Sequence, residues 1–207
     1  MTALAPWLVA AYLLGAIPTS YLVVRVLKGQ DLRTLGSGNL GATNLYRVLG
    51  WKYAVPVGLF DLAKGLVPVA VFGPRAEEGE LGALLLGTAA VVGHVFSVFV
   101  RFRGGKGVAT GAGVVLGLAP WAFAVGLGVW LLAVAVSGYV SLGSILAALV
   151  LPPAAYWLHP ERRGLVGAFA VLATVIVGLH HTNIRRLLAG TEHRFGRRAG
   201  TAMPGPE

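Results

Sequence analysis

Long apolar runs alternating with short charged segments leave this chain few ways to fold. Residues 3–26, 53–73 and 80–100 each supply enough apolar residues to cross the ~30 Å hydrocarbon core of a bilayer, which takes about 20 residues of helix. In lipid every backbone N–H and C=O must find a partner inside the protein, and a helix provides one within its own segment. Hydrophobic residues make up 56% of the chain and charged residues 12%, with a mean hydropathy of +0.75. Those values lie far from the averages of soluble domains. The expected fold is an all-α polytopic membrane protein, one domain over residues 1–207. Residues 1–27 lack a basic start and a small-residue cleavage site, so they read as a retained first span.

Four further apolar stretches follow, at 108–119, 121–137, 139–158 and 164–181. The first corresponds to only about 18 Å of helix. Charge distribution orients the whole. Arg25, Lys28, Arg33, Arg47 and Lys52 form one basic cluster, Arg101, Arg103 and Lys106 a second, and Arg185, Arg186, Arg194, Arg197 and Arg198 a third. Residues 75–80 instead carry Glu77, Glu78 and Glu80 against one arginine. Positive charge collects on the cytoplasmic side of membrane proteins, so the three basic segments belong inside and the acidic one outside. An even number of crossings must then separate the second and third clusters. Seven crossings satisfy this, with the N-terminus outside and the C-terminus inside. Five do so as well if 108–119 and 121–137 form a hairpin that does not fully span. Arg162 and Arg163 fall outside in this scheme, against the charge rule.

Thirty glycines, and the spacing of Gly113 and Gly117, suit close helix contacts. No internal repeat is evident, which speaks against the paired halves of many secondary transporters. The net charge of +9 is concentrated where spans meet the cytoplasm, and no nucleic-acid partner is expected. The absence of cysteine excludes thiolate chemistry and disulfides.

Three cytoplasmic segments are too rich in glycine and polar groups for simple turns. In "GSGNLGATNLYR" (36–47), Gly36, Gly38 and Gly41 match G-x-G-x-x-G, yet they follow an apolar helix rather than a strand. Their value is that backbone N–H groups can approach an oxyanion unhindered. Ser37, Asn39, Thr43 and Asn44 add neutral polar groups, and Arg47 adds a fork suited to phosphate. In "RFRGGKGVATG" (101–111), Gly104, Gly105 and Gly107 surround Lys106 at the start of an apolar helix. The segment lacks the Ser or Thr of a P-loop but suggests a second anion nest. In "HHTNIRR" (180–186), His180 and Asn183 lie three residues apart and share a helix face. Asp61 and Lys64 are one turn apart inside a span, where ionisable groups are functional candidates and also natural structural pairs. Ser141 and Ser144 read either as backbone-bonding hydroxyls or as site residues.

These segments supply many anion donors and no carboxylate cluster for a metal, so the site is expected to bind phosphate without metal or other cofactor. No histidine is followed five residues later by aspartate, and no G-x-S-x-G elbow occurs.

"GSGNLGATN" (36–44), "GGKGVAT" (104–110) and "HHTNI" (180–184) resemble the three cytoplasmic signature segments of the bacterial acyl-phosphate:glycerol-3-phosphate acyltransferases, the PlsY family. "FDLAKG" (60–65), "SGYVSLGSI" (137–145) and "RLLAGTE" (186–192) resemble further family segments, and Ser97 stands where members often carry proline. The resemblance implies transfer of a fatty acyl group from acyl phosphate to the sn-1 hydroxyl of glycerol 3-phosphate, yielding lysophosphatidate and phosphate at the bacterial cytoplasmic membrane. It implies Ser37, Arg47 and Lys106 as phosphate holders, with Thr43, Asn44, His180 and Asn183 positioning acceptor and donor. Lys64 and Ser141 join the expected substrate-binding set. A peripheral enzyme producing acyl phosphate is a conceivable partner. The attacking hydroxyl's proton would go to the donor's phosphate, with His180 as the competing base. A transporter of phosphate or a phospho-metabolite is the alternative reading.

Overall fold

A computed structural model describes residues 4–195. The expectations placed on Arg197 and Arg198, and the two ends of the 1–207 domain, lie outside the described residues. Among the described residues there is no strand. The helices are α1 (Leu4–Ala16), α2 (Thr19–Lys28), α3 (Ala42–Leu49), α4 (Trp51–Val67), α5 (Gly73–Ala76), α6 (Gly79–Val95), α7 (Val108–Leu118), α8 (Pro120–Ser137), α9 (Val140–Leu158), α10 (Arg163–Leu179) and α11 (His181–Leu188). A π-type turn, Pro68–Phe72, joins α4 to α5, so that Trp51–Ala76 runs as one helical rod.

Among the described residues, each of the seven apolar runs is mostly helical. Four rods are long and apolar enough to cross a bilayer: Trp51–Ala76, Gly79–Val100, α8 and α9. The pairs α1–α2 and α10–α11, bent by 41° and 59°, raise the number to six if each pair is one span. The short run is α7, with 11 residues. The α1–α2 bend falls at Pro18, which has no N–H to continue the ladder. Side-chain donors reach the carbonyls at this bend: Ser97 Oγ donates to Ala16 O, and Lys64 Nζ to Ile17 O at 2.6 Å.

Glycines set the closest helix crossings. A Cβ on Gly65 of α4 would lie 1.9 Å from Thr110 O of α7, and one on Gly113 of α7 would lie 1.9 Å from Leu62 O of α4. The two backbones therefore touch, and any side chain would force them apart. Gly117 continues that face against Val69. Gly15 and Gly93 form the same reciprocal contact between α1 and α6. The small-residue spacing read from the sequence is thus a packing seam.

The two ends of the bundle differ in charge. At one end Arg162 pairs with Glu80 at 2.6 Å and donates to Leu118 O at 2.9 Å, while Arg163 lies over the Tyr156 ring. The arginines that break the charge rule therefore sit with the acidic segment and have partners there. The α7 C-terminus lies at this end, and its start lies at the other, beside Lys106. The opposite end carries the three glycine-rich or polar segments.

Candidate active site

The first polar segment is folded around Asn44. Its Nδ2 donates to Leu35 O and Asn39 O, both at 3.0 Å, and its Oδ1 accepts from the Ser37 N–H at 2.8 Å. The side chain is almost fully buried. Gly36 has φ +57°, and a Cβ there would lie 2.3 Å from Asn44 Oδ1. Gly36 and Gly38 shape this turn and do not line the cavity described below, and Asn44 borders that cavity with its amide already engaged by the loop. Gly36 and Gly38 thus hold the loop, while Asn44 both holds it and borders the cavity. Ser37, Asn39, Gly41, Thr43 and Arg47 do face the cavity. Thr43 and Arg47 share one face of α3 at i,i+4 spacing.

The second segment departs further from its sequence reading. Gly104 N–H donates to Val95 O at 2.9 Å and Gly105 N–H to His94 O at 3.1 Å. Both donors satisfy carbonyls at the end of α6, where a helix leaves them without intrahelical partners. A Cβ on Gly104 would sit 2.0 Å from His94 O, and one on Gly105 would sit 2.2 Å from His94 Nε2. The two glycines bring the loop down onto α6 and do not form an anion nest. Gly107 faces the cavity at the start of α7, and Lys106 reaches into it. The Lys106 ammonium donates to Asn183 Oδ1. Burial and the Arg186 and Arg47 guanidiniums push its pKa down to about 8, against the opposing pull of Glu192.

The third segment sits at the α10–α11 bend. His180 Nδ1 lies 2.7 Å from Ile176 O. A carbonyl can only accept, so Nδ1 carries the proton and Nε2 keeps its lone pair. Glu192, from the chain after α11, binds this segment together: it accepts from Asn183 Nδ2 at 2.7 Å, Ser141 Oγ at 3.1 Å and Arg186 Nε at 2.7 Å. Burial favours its neutral form, but the bonds from Arg186, Asn183 and Ser141 outweigh that and hold its pKa below the usual carboxylate value. From the sequence, Arg186 reads only as part of a basic cluster and Glu192 only as the end of the "RLLAGTE" segment, with no site role for either. The available signal was a single carboxylate in the otherwise basic stretch 185–198.

These groups open onto one cavity of about 510 Å³. Its mouth carries Ser37, Arg47, Lys106, Ser141, His180, Asn183 and Glu192, and its interior is apolar, with Val115, Phe123, Leu151 and Leu172. The cavity lies between α4 and α7, which pack on each other, and the packed pair α8 and α9. Lys64 is not in its wall. It is 1% exposed and pairs with Asp61 at 2.6 Å while bonding Ile17 O, so the expected substrate contact is a brace for the α1–α2 bend. Asp61 and His94 do border the cavity. Among the described residues no three His, Cys, Asp or Glu side chains gather into a set that could hold a metal ion.

The pattern of the family described as glycerol-3-phosphate acyltransferase matches residues 5–190, and so takes in all three polar segments. The chain belongs to the glycerol-3-phosphate acyltransferase family. Relatives in this family include the glycerol-3-phosphate acyltransferase of Trichlorobacter lovleyi, 48% identical over 94% of this chain and 99% of the relative. That of Chlorobaculum tepidum is 42% identical over 92% and 97%. The crystal structure of PlsY, an integral membrane glycerol 3-phosphate acyltransferase, is similar in its glycerol 3-phosphate form with a TM-score of 0.87, at 38% identity over 95% of this chain and 96% of that one. Its lysophosphatidic acid form gives a TM-score of 0.84 at 37% identity. Family membership and shared fold thus meet at a cavity with a polar mouth and an apolar interior.

Proposed function

We propose that this chain transfers a fatty acyl group from acyl phosphate to the sn-1 hydroxyl of glycerol 3-phosphate, giving lysophosphatidate and inorganic phosphate for phospholipid synthesis. The observation that carries this reading is one cavity in which Arg47, Lys106 and Asn183 stand at the mouth of an apolar pocket. Both substrates carry phosphate, and one also carries an alkyl chain that favours an apolar environment. The family's glycerol-3-phosphate acyltransferases and the two ligand forms of the PlsY structure support the choice of acceptor and product.

In this reaction the glycerol hydroxyl oxygen attacks the acyl carbonyl carbon. The carbonyl C–O bond to phosphate breaks, and the phosphate leaves with the electron pair. An acyl phosphate is already activated, so no enzyme nucleophile is required. Arg47 and Lys106 neutralise the phosphates, and Ser37, Thr43, Ser141 and Asn183 orient the reactants. The hydroxyl proton passes to the departing phosphate. The His180 Nε2 lone pair is the competing acceptor.

The reading includes a topology: seven crossings in one domain, N-terminus outside, with the three polar segments on the cytoplasmic side of the bacterial inner membrane. Support comes from the basic residues collected at the mouth end and from the partnered Arg162 and Arg163 at the acidic end. A peripheral acyl-phosphate-producing enzyme would deliver donor at that basic face. The donor is tested by supplying purified protein in lipidic mesophase with glycerol 3-phosphate and either palmitoyl phosphate or palmitoyl-CoA. Lysophosphatidate from acyl phosphate alone is expected; product from the thioester alone would name a different donor.

A further inference from the structure

The apolar part of the cavity runs toward the acidic end of the bundle. Going toward the acidic end, the last lining residues are Val115 on α7, Phe123 on α8, Leu151 on α9 and Leu172 on α10, all apolar. The cavity therefore ends at the level of these four side chains. One turn above Phe123 on the same face of α8 lies Gly126, buried and in the cavity wall. A Cβ on Gly126 would point at Leu151 Cδ2, 3.2 Å away on α9. Leu151 presents a rotatable side-chain end, so a side chain at 126 can be accommodated, and it would occupy the space between α8 and α9. On the facing wall, a Cβ on Gly111 of α7 would likewise meet Leu172 and Ile176 at 3.2 Å and 3.8 Å. Glycine at 126 leaves the lower cavity open, and glycine at 111 does so nearer the mouth.

We propose that Gly126 and Phe123 set the length of acyl chain this enzyme accepts, Gly126 by keeping the lower cavity open and Phe123 by closing its end. The inference rests on the acyl-transfer reading above. Three residues of α8 separate the two positions, about 4.5 Å of depth. Carbon–carbon bonds of about 1.5 Å in a staggered chain advance roughly 1.25 Å per carbon, so that depth holds three to four carbons. A side chain at 126 removes those carbons from the longest donor that fits and leaves the polar mouth untouched. Removing the ring at 123 does the reverse.

The test measures kcat/KM for a ladder of acyl phosphates from octanoyl to stearoyl, with saturating glycerol 3-phosphate, for wild type, Gly126→Leu and Phe123→Ala. Gly126→Leu is expected to keep octanoyl and decanoyl phosphate within about twofold of wild type, which also shows that it is folded, and to lose its longest donors over about four carbons. Phe123→Ala is expected to move the optimum to longer chains. A loss shared equally by all donors in Gly126→Leu, together with an unmoved profile in Phe123→Ala, would overturn the assignment. Wild type that turns over no acyl phosphate at all would overturn the acyl-transfer reading, and this inference with it.

Discussion

The Lys106 ammonium donates to the side-chain carbonyl of Asn183, across 77 residues of chain. Asn183 can present that oxygen because its amide nitrogen is held by Glu192 at 2.7 Å. Lys106 is thereby fixed at the cavity mouth rather than left to sample rotamers.

Replacing Lys106 by alanine removes a charge-assisted phosphate donor, and a loss of about 10²–10³ in kcat/KM is expected on the scale of preorganised donors to developing charge. The pH profile carries a sharper signature. The ammonium is the form that holds phosphate, and its pKa is pushed down to about 8, so kcat/KM falls as pH rises through that value. In Lys106→Arg the guanidinium stays charged, and the alkaline limb near pH 8 should disappear from whatever activity remains. An unmoved limb would assign it to another group.

Glu192→Gln tests the carboxylate that gathers Ser141, Asn183 and Arg186. Removing one partner of a buried charged network is expected to destabilise the protein by about 3 kcal/mol. Glu192 is held below its ordinary pKa of 4.5, so its contribution is present above that value and is lost as pH falls through the folded-state value. Thermal unfolding followed across the acid range should show this slope in wild type and lose it in the variant.

His180→Gln separates two routes for the proton. Transfer to the donor's phosphate predicts turnover within about tenfold of wild type. General-base catalysis is worth about 10²–10⁴-fold, so a loss of that size in kcat with KM unchanged would place the base at His180.

Helix packing rather than chemistry dominates at Lys64. Lys64→Met strands Asp61 as a buried carboxylate without its ion-pair partner and removes the ammonium donor from the Ile17 carbonyl, which predicts a large drop in melting temperature. The double variant Lys64→Met, Asp61→Asn should recover much of that stability. A raised KM for glycerol 3-phosphate at unchanged stability in Lys64→Met would restore it to the substrate site.

The apolar runs and the three polar segments were legible because hydropathy and charge are strong local signals. Their convergence on one cavity was legible too, through Ser37, Arg47, Lys106, Ser141, His180 and Asn183. The duties of Gly104, Gly105 and Asn44 were not. Glycines around a lysine look alike in sequence whether their N–H groups turn to a ligand or to the carbonyls ending α6, and only the approach of His94 decides between them. Lys64 reads as an intramembrane cation in either role, and its partner at Ile17 depends on a bend set by Pro18. Glu192 received no role because it lies beyond the last span, and its bond to Ser141 on α9 joins residues far apart in sequence.

The central claim is that the polar mouth and apolar interior form one acyl-transfer site. Its most direct test follows labelled glycerol 3-phosphate and released phosphate together, with purified protein and palmitoyl phosphate in lipidic mesophase. The account predicts lysophosphatidate and phosphate in equal amounts, both abolished in Arg47→Ala. Phosphate released without lysophosphatidate, or lysophosphatidate formed undiminished by Arg47→Ala, would contradict it.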